Sequence, residues 1–301
     1  MEIRKAQRKK AKLRLGIAAP SGAGKTYSAL LLAFGIGGKV GVIDTEHGSA
    51  DLYEDLGDYD IVNIEAPYTV QKYRAALNAF ENAGYSVIIM DSLSHAWAGD
   101  GGLLDKQGKL ADRPGANGYA AWRTITPEHN GLVEAILTSP CHIIATMRSK
   151  QEYVLETNDK GKQTPRKVGM APVQREGMEY EFTVMLDIDM SHVASSSKDR
   201  TRLFDGQLFK IDRSHGELLR DWLEKGVEPP PAHESDVLTG VTASELADWT
   251  ASIEASATLE DLKNIYGNAV LLARNRRDKL SEDVFVTAKN ARKKALETVT
   301  A

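Results

Sequence analysis

Cysteine is nearly absent: Cys141 stands alone in 301 residues. With one thiol neither a disulfide framework nor a cysteine-rich zinc site can be built, and the expected compartment is a reducing one, the cytoplasm. Long apolar runs are missing too. None approaches the roughly 20 residues that span a bilayer, and the opening MEIRKAQRKKAKLRLG is basic without the apolar stretch of a secretory leader. Neither export nor membrane anchoring is therefore expected. A strong charge of one sign is lacking as well, since the formal net charge is −4 and the pI about 6.0. That excludes a uniformly basic coat, so contacts with a polyanion have to come from local clusters. No repeat recurs at a fixed period.

What is present fits a folded protein of enzyme size. With 42% hydrophobic and 27% charged residues the chain can bury a full core, and its length predicts two domains or one large domain with an appendage. Lys12 to Ala19 reads as a strand, a Gly/Ser turn follows, and the apolar-periodic stretch Lys25 to Phe34 reads as a helix. The alternation continues with Lys39 to Asp44 as strand, Val70 to Asn82 as helix, Ser86 to Asp91 as strand, Tyr119 to Leu137 as helix and His142 to Met147 as strand. Such alternation predicts an α/β fold, a mostly parallel sheet covered by helices on both faces. From Tyr180 to Phe209 the pattern changes to YEFTVMLDID and then TRLFDG, strands joined by polar turns, which predicts an antiparallel edge closed by a helix over Gly216 to Lys225.

Three consecutive prolines in VEPPPAHES mark a boundary. The expected division is a core with its basic arm over 1–226, a proline-rich linker over 227–240 and a small helical bundle over 241–301, which has no proline. Within the bundle, Leu246, Trp249 and Ile253, then Leu259, Leu262, Ile265, Tyr266 and Val270, then Val284, Val286 and Ala291 have helical spacing.

The turn after the first strand is Ala19-Pro20-Ser21-Gly22-Ala23-Gly24-Lys25-Thr26, with Tyr27 next, and it fits the P-loop pattern with Ala at its first position. Gly22 and Gly24 let the backbone bend so that N–H groups point at phosphate oxygens, while the helix beginning near Lys25 offers its positive end to the same charge. Lys25 would reach the β- and γ-phosphates and the Thr26 hydroxyl would ligate Mg2+. Asp91, closing a later apolar strand, is where a second metal-organising carboxylate belongs. Glu46 lies two residues past Asp44 at the exit of the second strand, the edge at which a parallel sheet binds ligands, and a carboxylate there can orient or deprotonate water. On the motif alone an exposed loop glutamate is the simpler reading. His47, His95, His129 and His142 are separated by whole elements without metal-ligand spacing, so no zinc site is expected. His47 and His95 are placed near the nucleotide as hydrogen-bonding groups.

The segments GIAAPSGAGKT, VIDTEHGSADLY, VIIMDSLSH and HIIATMRSK together resemble the RecA-type ATPase core. More narrowly, DTEHGSADLY, DSLSHAW, AWRTITPEHN, MRSKQEY and EYEFTVMLDID resemble phage-encoded nucleotide-binding proteins that are minimal RecA cores, some of which act as single-strand annealing recombinases. The similarity spans roughly Lys12 to Trp222. It implies a RecA-like P-loop fold, ATP and Mg2+ as cofactors, Glu46 as the catalytic carboxylate, and ATP held between neighbouring copies in a filament or ring. Lys198-Asp199-Arg200 resembles the lysine-x-lysine element by which a neighbouring subunit offsets γ-phosphate charge, although an arginine replaces the second lysine. RecA proteins also carry an Asn-Gln pair near the end of the HIIATM strand, where this chain has Ala145 and Thr146, with Arg148 just beyond.

The resemblance further implies that two loops hold single-stranded DNA. The first, Trp97 to Gly118, is glycine-rich and carries Lys106, Lys109 and Arg113. The second, Ser149 to Gly177, carries Lys150, Lys160, Lys162, Arg166, Lys167 and Arg175, with Tyr153 available for stacking. Cations would track phosphates and an aromatic would stack without sequence preference. The arm adds Arg4, Lys5, Arg8, Lys9, Lys10, Lys12 and Arg14, and the last helices add Arg274, Arg276, Arg277, Lys289, Arg292, Lys293 and Lys294, as DNA contacts or solvated faces. The expected function is ATP hydrolysis coupled to single-stranded-DNA binding in phage recombination or annealing, with a single-strand DNA-binding protein as a further candidate partner. A nucleotide-switched annealing scaffold that needs no hydrolysis, and a P-loop ATPase without a DNA role, are the alternatives.

Overall fold

A computed structural model describes Lys5, Gln7 and residues 10–114, 118–157, 163–227, 241–275 and 278–299; at 151–157, 163–169, 243, 275, 279, 280 and 297–299 the description is of backbone alone. The chain divides into two compact units, Met1–Glu228 and Pro229–Ala301. The proline-rich linker expected over 227–240 lies, apart from Val227, outside the described residues.

Among the described residues the first unit has nine strands: β1 (Arg14–Ala19), β2 (Val40–Asp44), β3 (Asp60–Asn63), β4 (Val87–Asp91), β5 (His142–Thr157), β6 (Gln163–Pro172), β7 (Val184–Ile188), β8 (Ala194–Asp199) and β9 (Leu208–Phe209). They form one sheet in the order β3-β2-β4-β5-β1-β7-β8-β9, with β6 paired to β5 off this path. Pairings from β3 through β7 are parallel and those of β7 with β8 and β8 with β9 antiparallel, so the mostly parallel sheet with an antiparallel edge is found. Every residue of β1, β2 and β4 is buried, as continuous apolar strands require.

Among the described residues six α-helices serve this sheet: α1 (Lys25–Ile36), α2 (Val70–Asn82), α3 (Leu93–Ala98), α4 (Leu103–Ala111), α5 (Gly118–Thr138) and α6 (Arg213–Glu224). Strand alternation sends Ile88 and Met90 into one core with α2, α3 and α5, and sends Val87 and Ile89 into a second core with α1 and α6. In α2 the buried Val70, Tyr73, Ala76, Leu77 and Phe80 form one stripe, and Thr69 caps the helix by accepting from the Lys72 amide. Helices α1 and α6 meet at Gly35 and Gly216. A Cβ on Gly35 would stand 2.0 Å from the Arg213 carbonyl oxygen and 2.8 Å from the Gly216 Cα, so only glycine permits the crossing.

Arg14 departs from its expected role. It does not belong to a DNA-contacting arm: its side chain is 6% exposed and donates to the carbonyl oxygens of Leu13 (2.8 Å), Cys141 (2.7 Å), Leu137 (3.0 Å) and Ser139. A cation thus caps the carboxyl end of α5, where carbonyls lack helical partners and the helix dipole is negative. Burial lowers the Arg14 pKa to about 10 without discharging it at neutral pH. Arg14→Leu is expected to cost about 2–4 kcal/mol, because buried acceptors lose charge-assisted bonds while the arginine's own desolvation is relieved. Urea denaturation measures this, and an unchanged midpoint would remove the capping role.

Three other expectations are corrected. The glycine-rich first loop contains a helix, α4, since Leu103 and Leu110, seven apart, pack on the core. The second loop is a ribbon in which β5 continues past the sheet and pairs with β6, from Ser149 opposite Pro172 to Thr157 opposite Gln163. The strand expected at TRLFDG is a turn, because the Asp199 carboxylate accepts from the amides of Thr201 (2.7 Å) and Phe204 (2.7 Å) and folds the chain back on itself. The polar ASSSKD of β8 takes the place beside β7 instead.

The second unit is a bundle of α7 (Ala243–Ala255), α8 (Leu259–Asn275) and α9 (Lys279–Val299). Its core holds Ile253, Leu262, Ala269, Val270, Ala273, Phe285 and Ala288. Leu259, at the start of α8, is 49% exposed, and Val284 is 42% exposed on α9, which turns Ser281, Phe285 and Ala288 inward. Several of its cations have partners within the bundle: Arg274 pairs with Glu282 at 2.8 Å, Arg292 donates to the Ser256 carbonyl oxygen at 2.6 Å, and Lys289 stands 5.3 Å from the centre of the Tyr266 ring. Arg276 and Arg277 lie outside the described residues.

Candidate active site

The turn between β1 and α1 is built for an anion. Gly22 and Gly24 have φ of 83° and 88°, left-handed conformations that a side chain would strain. Gly24 caps α1 without any side-chain bond, and the first turn of the helix holds no acid. A lysine at that position opposes the positive helix end, and a bound phosphate would resolve the conflict. The Lys25 ammonium meanwhile donates to the carbonyl oxygens of Ala19 (3.3 Å) and Pro20 (3.1 Å). Burial lowers its pKa, and the carboxylates of Asp91 and Glu46 act in the opposite direction.

Strand order supplies the second component. One strand, β5, lies between the P-loop strand β1 and the strand β4 that ends in Asp91, and its Thr146 is fully buried beside that carboxylate. Thr146 Oγ1 donates to Asp91 Oδ1 at 2.5 Å, and Thr26 Oγ1 donates to Oδ2. Burial raises the Asp91 pKa, and the hydrogen bonds from Thr146 and Thr26 offset only part of that rise. A hydroxyl and a carboxylate in contact at the rim of a phosphate loop are the hard oxygen donors that suit Mg2+. Among the described residues no group of three or more His, Cys, Asp or Glu could hold a metal, so most of its shell would come from phosphate oxygens and water.

The third component lies at the exit of β2. Asp44 Oδ1 accepts from the Glu46 amide at 2.5 Å and Oδ2 from the Ala50 amide at 3.1 Å, which fixes the turn. The Glu46 carboxylate is gripped by Arg148, whose Nε donates to Oε1 at 2.9 Å and whose Nη2 donates to Oε2. Burial would push this carboxyl up; the guanidinium overrides it and holds the group below its ordinary value. His95, expected near the nucleotide, stacks on Tyr68 with centroids 4.7 Å apart and shares a 2.7 Å hydrogen bond with Thr45 Oγ1. Burial keeps its pKa low, so it acts as a neutral partner in that network.

These components line one cavity of about 590 Å3, which Ser21, Gly22, Ala23, Gly24, Lys25, Thr26, Tyr27, Glu46, Asp91 and Arg148 share. Ala19 and Pro20 meet it through their carbonyl contacts with Lys25. Sequence reasoning missed Ser49, Tyr53, His192, Lys210 and Ile211, which also line it. Tyr53 meets Tyr27 edge-on with centroids 5.8 Å apart, which gives the cavity an aromatic wall. His192 sits in the turn between β7 and β8 and donates from Nδ1 to the Ala23 carbonyl oxygen at 3.1 Å. Asp189 with its acceptor bonds to the Ser191 and Val193 amides is a readable turn signal, but nothing local says that the turn faces the P-loop.

The remaining candidates lie elsewhere. Lys198 donates to the carbonyl oxygens of Glu179 (3.2 Å) and Tyr180 (2.5 Å), and Arg200 to that of Tyr180 (3.4 Å), and neither lines the cavity of its own chain. Lys106 is paired with Glu128 of α5, Lys109 with Asp105 at 2.6 Å, and Arg113 is exposed. Arg175 donates to Thr126 Oγ1 at 3.2 Å and lies 5.8 Å from the centre of the Trp122 ring. Lys150 is exposed at the root of the ribbon. The backbones of Arg166 and Lys167 pair with Val154 and Tyr153, and Lys160 and Lys162 lie outside the described residues.

A family profile of the AAA domain matches residues 11–213, two thirds of the chain and all of the cavity's lining. The chain belongs to the AAA-domain family. It is therefore a P-loop ATPase fold, a mostly parallel sheet flanked by helices, with C-terminal helices, and an AAA domain implies nucleotide binding, usually with Mg2+. No curated protein matches the sequence. A solved structure described as a prototypical ATPase from the type III secretion system of pathogenic bacteria is similar at 13% identity, over 92% of this chain and 81% of that one, with a TM-score of 0.36. Likeness at that level carries no shared role. Among the described residues, no helix of this AAA protein is long and apolar enough to cross a membrane.

Proposed function

We propose that this AAA protein hydrolyses ATP with Mg2+ between copies of itself assembled on single-stranded DNA, in phage recombination or strand annealing. The observation that carries the catalytic part is the convergence of Lys25, Thr26, Asp91 and Glu46 on one cavity. The loop amides and Lys25 bind the phosphates, Thr26 and Asp91 hold the metal shell, and Tyr27 and Tyr53 offer faces to the base. Bound Mg2+ would supply neutralisation of charge on the β- and γ-phosphate oxygens. Glu46 takes the proton of the attacking water. Lys198 and Arg200, which their own cavity does not use, would offset γ-phosphate charge in a neighbouring copy, so the site is complete only in an assembly.

Support for the DNA role is the resemblance to annealing recombinases together with the ribbon, which leaves the cavity directly at Arg148 and carries Lys150, Arg166 and Lys167. The scaffold reading is favoured by one observation, the engagement of Glu46 by Arg148. Measuring ATPase rate per molecule against protein concentration, with and without a single strand, tests the proposal. The rate is expected to rise with concentration and again with the strand, to fall back in a Lys198→Ala, Arg200→Ala double variant, and the strand effect to fade steeply with salt. A rate per molecule that ignores both concentration and strand would overturn the assembly and DNA assignments. Annealing that proceeds equally with a non-hydrolysable analogue would favour the scaffold.

A further inference from the structure

The turn between β7 and β8 holds a strained residue. His192 has φ of 61°, the left-handed conformation that favours glycine or asparagine. The turn cannot relax it, because the amides of Ser191, His192 and Val193 all end on Asp189: the first and third on its Oδ1 at 2.8 and 2.9 Å, the second on its carbonyl oxygen at 3.0 Å. Strain of this kind persists where the side chain it carries has a use, and the imidazole of His192 lines the cavity of the phosphate loop. Its Nδ1 stands 3.1 Å from the Ala23 carbonyl oxygen, and since a carbonyl oxygen only accepts, Nδ1 is the ring nitrogen that carries the hydrogen. A Cβ on Gly24 would lie 3.5 Å from the same nitrogen, so the ring rests against the Ala23–Gly24 peptide. That peptide is trans and planar, and its C=O and N–H therefore point in opposite directions. Fixing the Ala23 carbonyl fixes the direction of the Gly24 N–H, one of the donors that a P-loop offers to phosphate. The loop needs such a restraint, because the peptide lies between two glycines, whose backbones turn most freely, and Gly24 caps α1 without a side-chain bond.

We propose that His192 is a positioning residue of the phosphate loop: by holding the Ala23 carbonyl from the β7–β8 turn, it keeps the Gly24 amide aimed at the phosphate chain of the nucleotide. The proposal rests on the reading of the cavity as a nucleotide site. The strain at His192 is the cost of bringing a hydrogen-bond donor to the loop from a hairpin 169 residues away, where glycine would suit the backbone better and hold nothing. Loop amides serve a diphosphate and a triphosphate alike, so His192 supports the binding of both and does not choose between them.

The test compares wild type, His192→Gly, His192→Ala and His192→Asn in the full chain, each melted and each titrated calorimetrically with ADP–Mg2+ and with a non-hydrolysable ATP analogue plus Mg2+. Glycine relieves the strain, alanine retains it, and both lose the bond to Ala23. His192→Gly is therefore expected to melt about 2–4 °C above His192→Ala, while both bind each nucleotide about tenfold more weakly than wild type, the upper end of what one hydrogen bond contributes. Asparagine tolerates the left-handed conformation and carries an amide nitrogen one bond beyond Cγ, where the imidazole has Nδ1, so His192→Asn is expected to bind within about threefold of wild type. A purely structural role would instead make affinity follow melting temperature, with the glycine variant binding better than the alanine variant. That result, wild-type affinity in His192→Gly, or a His192→Asn that binds no better than His192→Ala overturns the proposal and leaves the nucleotide reading standing. If the folded wild type binds neither ligand, the nucleotide reading itself falls and takes the proposal with it.

Discussion

Replacing Lys25 by alanine is expected to weaken ATP–Mg2+ binding by two to three orders of magnitude while leaving the protein folded. The ammonium is the one cation rooted in the phosphate loop itself, and its present partners are main-chain carbonyl oxygens at 3.1 and 3.3 Å. A phosphate would exchange those neutral acceptors for charged ones, each worth about 1.5–3 kcal/mol net, and a contact shared by two phosphate groups reaches about a thousandfold. Nothing comparable is lost from the apo fold. Burial already depresses the Lys25 pKa, so removing the charge relieves desolvation as it removes two weak bonds. The melting temperature should therefore shift by no more than about 3 °C. Calorimetry with ATP and Mg2+ decides the matter, and unaltered affinity in Lys25→Ala would refute the assignment of the loop.

How far the sequence could be read depends on the distance over which each signal acts. The P-loop, the strand before it and the helix after it are neighbours in the chain, and β1, α1, β2, α2, β4 and α5 fall within a few residues of the periods that predicted them. Asp91 was readable because an acid ending an apolar strand is itself a local pattern. Glu46 was readable as a carboxylate at a strand exit, while its partner Arg148 lies 102 residues away. Sequence separation likewise hides the contact of Thr146 with Asp91, 55 residues apart and joined only because β5 enters the sheet between β1 and β4, and that of His192 with Ala23 across 169 residues.

Charge was misread where a cation has an internal use. Arg14 looks like the last member of a basic arm, and only the placement of the end of α5 against β1 makes it a cap. Lys106 and Lys109 in a glycine-rich stretch suggest a polyanion contact, but α4 brings them to Glu128 and Asp105. The ribbon escaped notice for a different reason. Lys150 to Met170 alternates too weakly for a strand signal, and two such stretches become strands by pairing with each other rather than by covering a core. β8 is another strand of that kind, a polar edge segment placed by its neighbour β7.

Glu46→Gln is expected to bind nucleotide yet lose turnover by a factor of about 100 to 10,000, the usual contribution of a general base. The amide keeps the volume and the contact with Arg148 but cannot take a proton from water. Backbone anchoring by Asp44 keeps the loop in place in the variant, since the Glu46 amide bond does not involve the side chain. pH dependence gives an independent readout. While Arg148 grips it, the carboxyl sits below its ordinary value, the guanidinium overriding the upward push of burial. A base whose pKa is depressed keeps its charge until pH falls through that lowered value. The acid limb of kcat in the wild type should accordingly lie at lower pH than an ordinary glutamate would give, and it should vanish from the residual rate of Glu46→Gln. Unchanged kcat in that variant, or an acid limb that survives it, would take Glu46 out of the chemistry and leave its carboxylate as a partner of Arg148 alone.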